Sequence, residues 1–158
     1  MPGRIAEEIH QTKPLSLVAE AALNLYRTSD YLALAVARVL KSADLSAVQF
    51  NVLRILRGAG SAGLCCREIG ERLVTRDPDI TRLLDRMERR GIIERSRDSK
   101  DRRVITVRIT PPGLDLLEQL DGPVEQELQC RLGRLGEQRL TALIETLEQI
   151  RETGTKGD

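Results

Sequence analysis

At 158 residues the chain is long enough for one domain, and with Tyr26, Tyr31 and Phe50 as its only aromatics the core must be aliphatic, which suits helices. No apolar run approaches the ~18 residues of a membrane span and no signal peptide opens the chain, so a cytoplasmic protein is expected. Net charge is only +1, yet residues 67–108 hold 13 basic against 9 acidic side chains and residues 109–158 hold 5 against 10, so positive charge gathers mid-chain, where phosphates would be met.

Residues 1–14 read as a loose N-terminal arm carrying His10, the one histidine. From Leu15 to Lys41 the pattern is helical, with Leu17, Ala21, Leu25, Leu32 and Val36 apolar and Leu23, Tyr26 and Leu34 on further faces. A partner chain is expected to cover part of it. Ser46 with Gln49 three residues on forms a capping box, opening a helix whose core side is Phe50, Val52, Leu53, Ile55 and Leu56. Gly58 to Gly63 read as a turn or loop. Arg67 to Leu73 is a short helix, and a few residues later another begins, with Asp77 as the expected N-cap and Pro78 at the first helical position. Ile80, Leu83, Leu84 and Met87 then fall on one apolar face, while Pro78, Arg82, Asp85 and Arg89 fall opposite. Gly91 ends this helix.

Two extended runs follow, Ile92 to Glu94 and the β-branched Val104 to Ile109. Between them, from Arg95 to Arg103, only Ser96 and Ser99 are uncharged. Two short helices joined by a few residues, the second with a polar face, is the helix-turn-helix signature. With a basic-tipped hairpin behind it, the plan is that of a winged helix, which sets the helix in the DNA major groove and the hairpin tip in a minor groove. Thr110 then caps a long helix with an apolar seam from Leu114 to Leu135, bent at Gly122-Pro123, and Glu137 to Arg151 forms another.

The expected fold is mainly α with a small β-hairpin wing (α+β), a winged helix-turn-helix with long terminal dimerisation helices. Residues 1–44 form the arm and first dimerisation helix, residues 45–110 the DNA-binding region and residues 111–158 the C-terminal dimerisation helices, in one compact domain. The apolar seams at both ends favour a dimer over a monomeric helical bundle.

Residues 45–110 resemble the MarR-type (multiple antibiotic resistance) regulators. The resemblance is carried by L-S-x-x-Q-F-x-V-L-R-x-L from Leu45 to Leu56, E-I-G-E-R-L from Glu68 to Leu73, I-T-R-L-L-D-R-M-E-R-R-G-I-I-E-R from Ile80 to Arg95, and D-R-R-V-I-T-V-R-I-T from Asp101 to Thr110. The last fits the family's wing signature D-x-R-x-x-x-x-x-[LI]-T in full. The resemblance implies a homodimer on a pseudo-palindromic operator, one recognition helix per half-site, relieved by a small-molecule effector or an oxidant. One departure is the start of the recognition helix, Thr75-Arg76-Asp77-Pro78-Asp79, which carries two acids where many relatives carry small polar residues. Asp77 is accounted for as a cap, and Asp79 needs a base-edge or arginine-holding role.

Thr81 and Arg82 sit early on the exposed side of this helix and are the candidates for base-edge contact, since an arginine can take guanine O6 and N7 together. Arg86 meets phosphate or forms a helical salt bridge. Thr75, Arg76 and the Pro78-Asp79 step lie at the helix entry. In the hairpin, Asp101 and Arg103 are two apart and share a side. The resemblance implies that Asp101 holds Arg103 for the minor groove, with Arg95, Arg97, Lys100 and Arg102 adding phosphate contacts.

Cys65 and Cys66 open the first helix of the helix-turn-helix, where a helix N-terminus can lower a thiol pKa, and Cys130 lies in the long C-terminal helix. Some MarR-type proteins sense oxidants by cysteine, but the peroxide-sensing branch carries its reactive cysteine near the N-terminus, and none precedes Cys65 here. Packing as small hydrophobes is the commoner fate. By family analogy an effector pocket lies between the dimerisation helices and the reading head, with Tyr26, Tyr31 and Arg54 as lining candidates. An enzyme is not expected: one histidine excludes most triads and histidine-based metal sites, and GAGSAG lacks the lysine of a phosphate loop. No metal or cofactor is expected. The rival reading is a winged-helix module for protein–protein contact that does not read DNA.

Overall fold

The computed structural model describes residues 4–97 and 104–154. Among these the chain forms α1 (Arg4–Glu8), α2 (Leu17–Leu40), α3 (Ala47–Ala59), β1 (Leu64–Cys65), α4 (Cys66–Arg72), α5 (Ile80–Arg89), β2 (Ile93–Arg97), β3 (Ile105–Ile109), α6 (Pro111–Leu132) and α7 (Glu137–Gly154). The architecture is mainly helical with a small antiparallel sheet, as the sequence pattern predicts. No helix among the described residues is long and apolar enough to cross a membrane.

Local chemistry sets most of the boundaries. The Ser46–Gln49 capping box is present, with the Ser46 N–H donating to Gln49 Oε1 at 2.9 Å and the Gln49 N–H to Ser46 Oγ at 3.2 Å. Thr110 Oγ1 accepts from the Gly113 N–H at 3.3 Å and starts α6. Gly91, at φ 71°, closes α5. Its N–H donates to the Glu88 carbonyl and that of Ile92 to the Met87 carbonyl, the pairing of a Schellman stop.

One apolar cluster runs through the molecule from Leu40 to Val124. Val52, Leu53 and Leu56 of α3, Ile69 of α4, Leu84 and Met87 of α5, Ile93 and Val107 of the sheet and Leu117 of α6 are all buried in it. The helix-turn-helix therefore stands on α3 and α6, and α5 turns its opposite side outward. An ion pair between Arg57 and Asp121 joins α3 to α6 at the surface.

Several sequence expectations shift. The N-terminal arm is partly ordered, because α1 buries Ile5. The wing hairpin has a third strand: sheet order is β1-β3-β2, with Leu64 opposite Val107, Ile93 opposite Ile109 and Arg97 opposite Ile105. A two-residue strand offers no alternation to read, so periodicity could not find it. Its approach is tight: Gly63, at φ 67°, has room for no Cβ, which would meet the Val107 carbonyl oxygen at 2.6 Å.

The start of α5 also moves. Asp77 is not its cap; Asp79 is, its Oδ1 accepting from the Arg82 N–H at 3.4 Å. Asp77 Oδ1 accepts instead from the Asp79 N–H at 2.8 Å, an Asx turn, and Pro78 lies in that turn rather than at the first helical position.

Candidate nucleic-acid interface

The outward side of α5 is built by its own periodicity. With Leu83, Leu84 and Met87 buried, Thr81, Arg82, Arg86 and Arg89 are exposed along the other face. Arg82 is the most deliberately placed of these. Its guanidinium Nε lies 3.3 Å from Asp79 Oδ2, one turn back, while its side chain remains 82% exposed. The acid that looked out of place near phosphate thus caps the helix and holds an arginine. Thr75, Arg76, Pro78 and Asp79 are exposed at the helix entry, and the segment is tied down by Asn51, whose Oδ1 accepts from the Val74 N–H at 3.0 Å.

Arg95, expected to add a phosphate contact, reaches back to α5. Its side chain is only 20% exposed. It donates from Nη1 to Asp85 Oδ1 at 2.6 Å and from Nη2 to the Thr81 carbonyl at 3.3 Å, and its Nε lies 3.8 Å from Glu88 Oε2. Two of its five N–H donors are thus directed back to α5. Arg97, at the far end of β2, is exposed. Lys100, Asp101, Arg102 and Arg103 lie outside the described residues.

Two arginines that the sequence reading did not single out organise the surroundings. Arg108 of β3 donates to the Ser61 carbonyl at 2.8 Å, Ser96 Oγ at 2.6 Å and the Ala62 carbonyl at 3.3 Å, tying the loop before β1 to the wing. Arg90 donates to the carbonyls of Asp44 (2.5 Å) and Ala43 (2.9 Å), anchoring the end of α5 beside the start of α3. A charged residue inside a β-branched run was the one available sign for Arg108.

The remaining candidates are scattered. The Cys65 N–H donates to Glu68 Oε2 at 2.7 Å. That bond, then one from the Cys65 thiol, holds the Glu68 carboxyl below its usual range against a smaller opposing effect of burial, with Arg72 and Arg67 adding to the lowering. Cys65 therefore faces an acid, whereas reactive thiols sit in electropositive surroundings. Cys66 is half-buried against the core, and Cys130 is exposed on α6. Tyr26 is exposed on α2. Tyr31 stacks under Arg131, whose Cζ is 4.4 Å from the ring centroid, and Arg131 pairs with Glu127, which raises the Arg131 pKa. Arg54 lies 5.8 Å from the Phe50 ring centroid. It lines a cavity of about 220 Å³ with Val36, Val48, Asn51, Val124 and Leu128, among others, and neither Tyr26 nor Tyr31 reaches that cavity. Among the described residues no cluster of His, Cys, Asp and Glu could hold a metal ion.

Comparison with known proteins agrees with the fold. Residues 45–105 match the family model described as the MarR family. The HTH-type transcriptional repressor IacR of Pseudomonas putida is 30% identical over 119 residues, covering 73% of this chain and 70% of that protein. The crystal structure of a MarR transcription factor from Planctomyces limnophilus is 39% identical, with a TM-score of 0.67 over 87% of this chain and 99% of that one. The S. aureus MepR–DNA complex shares the fold at 23% identity, with a TM-score of 0.74 over 82% and 96% of the two chains.

Proposed function

The chain belongs to the MarR family of transcriptional regulators, and from that premise we propose that it is a repressor that binds a pseudo-palindromic operator as a homodimer, one α5 per half-site. The observation that carries this reading is the outer face of α5, where Thr81, Arg82 and Arg86 stand exposed on a helix seated in the core by Leu83, Leu84 and Met87. Arg82 is the base-reading residue, its Nε beside Asp79 and its planar guanidinium of the shape that takes guanine O6 and N7 together. Thr75, Arg76, Arg86 and Arg97 contact phosphate, and Asp101 holds Arg103 in the minor groove, with Lys100 and Arg102 beside it.

Exposed apolar side chains support the dimer. Leu17 and Val18 are 83% and 80% exposed on α2, and Leu143 and Ile144 are exposed on α7, apolar surface at both ends of the chain that a partner would cover. A partner chain that covers both sets places two α5 helices on one side of a duplex. A small effector is taken between α2, α3 and α6, where Arg54 borders an apolar cavity. Its binding shifts the spacing of the two reading heads.

Selection from a library of random duplexes tests the reading. The expected result is an inverted repeat with half-sites about one helical turn apart and steep loss of affinity with rising salt. Selection of no sequence, with salt-independent capture of a protein partner instead, refutes it.

A further inference from the structure

We infer that Arg95 is a positioning residue for duplex recognition: it latches the first wing strand to the base-reading half of α5, so that helix and wing meet DNA as one body. The inference rests on the DNA-binding reading above. The geometry is that of a lever. Gly91 is the pivot between α5 and β2, and its Schellman bonds fix only the last turn of the helix, at Met87 and Glu88. Arg95 sits four residues beyond the pivot and reaches back ten and fourteen residues, to Asp85 and Thr81. Its two hydrogen-bond acceptors and the nearby Glu88 carboxylate span two turns of α5 and reach the turn that carries Arg82.

The chemistry is specific to arginine. A planar fork with five donors can bond a carboxylate, a carbonyl and approach a second carboxylate at once, whereas a lysine ammonium reaches them as a point charge. The latch also explains two acids on a helix that faces a polyanion. Asp85 and Glu88 would repel phosphate if left bare, and Arg95 neutralises the nearer of them. Arg95 in turn brings no surplus positive charge to DNA, since two carboxylates already face it. Rigid coupling matters because helix and wing enter different grooves. Once the helix is seated, a wing held at a fixed angle is placed without further ordering cost.

Asp85→Asn separates this role from simple charge. If the acid acts only through its charge, removing it raises affinity for DNA. The latch requires the opposite: affinity for the selected operator falls by about tenfold or more while affinity for random duplex does not fall. Arg95→Gln gives the same loss with an unchanged salt slope, and the double variant is no worse than either single one. Arg95→Lys restores only part of the affinity. Amide exchange without DNA supplies a second readout, with protection lost over residues 80–85 and kept in α3. Asp85→Asn that binds as well as wild type or better overturns the latch. So does a salt slope lowered by about one in Arg95→Gln, which would make Arg95 a phosphate contact, or a uniform loss of protection. Wild-type protein that selects no duplex overturns the DNA reading itself and the latch with it.

Discussion

The two oxygens of the Asp79 carboxylate serve the same residue, one accepting from the Arg82 backbone N–H at 3.4 Å and the other lying 3.3 Å from the Arg82 Nε. The cap of the recognition helix and the aim of its foremost arginine are therefore one feature. Asp79→Ala is expected to cost about 1 kcal/mol of stability through the lost cap, and also to widen base preference at the position Arg82 reads. Asp79→Asn keeps an acceptor for the N–H and loses the ion pair, so it should widen preference with little loss of stability. Melting curves and a base-substitution series on the operator measure both; an unchanged base preference in Asp79→Asn would falsify the aiming role.

Arg97 ends β2 in solvent, and Arg103 comes six residues later in the sequence. Arg97→Ala should weaken binding evenly across sequences and lower the salt slope by about one, whereas Arg103→Ala should weaken operator binding about tenfold or more. Anisotropy titrations at several salt concentrations distinguish the two. Equal behaviour of both variants would remove the division of labour between phosphate and groove.

Ile144, in the middle of α7, is left 55% exposed by its own chain. In the proposed dimer it is covered by the partner. Ile144→Glu is then expected to give a folded monomer by sedimentation and to abolish tight operator binding, since two half-sites can no longer be held together. A variant that still sediments as a dimer places the interface elsewhere.

Glu68 carries the pH dependence. Its folded carboxyl titrates below the usual range because the Cys65 N–H and thiol donate to it. A depressed folded pKa means stability that is present above the unfolded carboxylate pKa and is lost as pH falls through the lower, folded one. The difference in urea midpoint between wild type and Glu68→Ala should therefore be largest near about pH 7 and shrink toward about pH 3. A constant difference across that span shows that the cap does not depend on the carboxylate charge.

Short-range pattern carried much of this protein. The capping box at Ser46, the cap at Thr110, the glycine stop at Gly91 and the apolar stripe Leu83-Leu84-Met87 depend on residues three to five apart, and each is where the sequence put it. The same patterns disclosed the winged helix and the exposed side of α5. Tertiary structure alone decided which charges are available. Asp77 and Asp79 are both good caps by type, and only the path of the turn chose the second. Arg82 and Arg95 look alike in a basic stretch, yet one is 82% exposed and the other 20%, because Asp85 and Thr81 come to Arg95 across the turn at Gly91. Arg108 and Asn51 bond to groups 47 and 23 residues away. A charged side chain has the same spelling whether it is solvated or paired. Its partners are chosen by how separate elements pack, and that information lies in no local window of the chain.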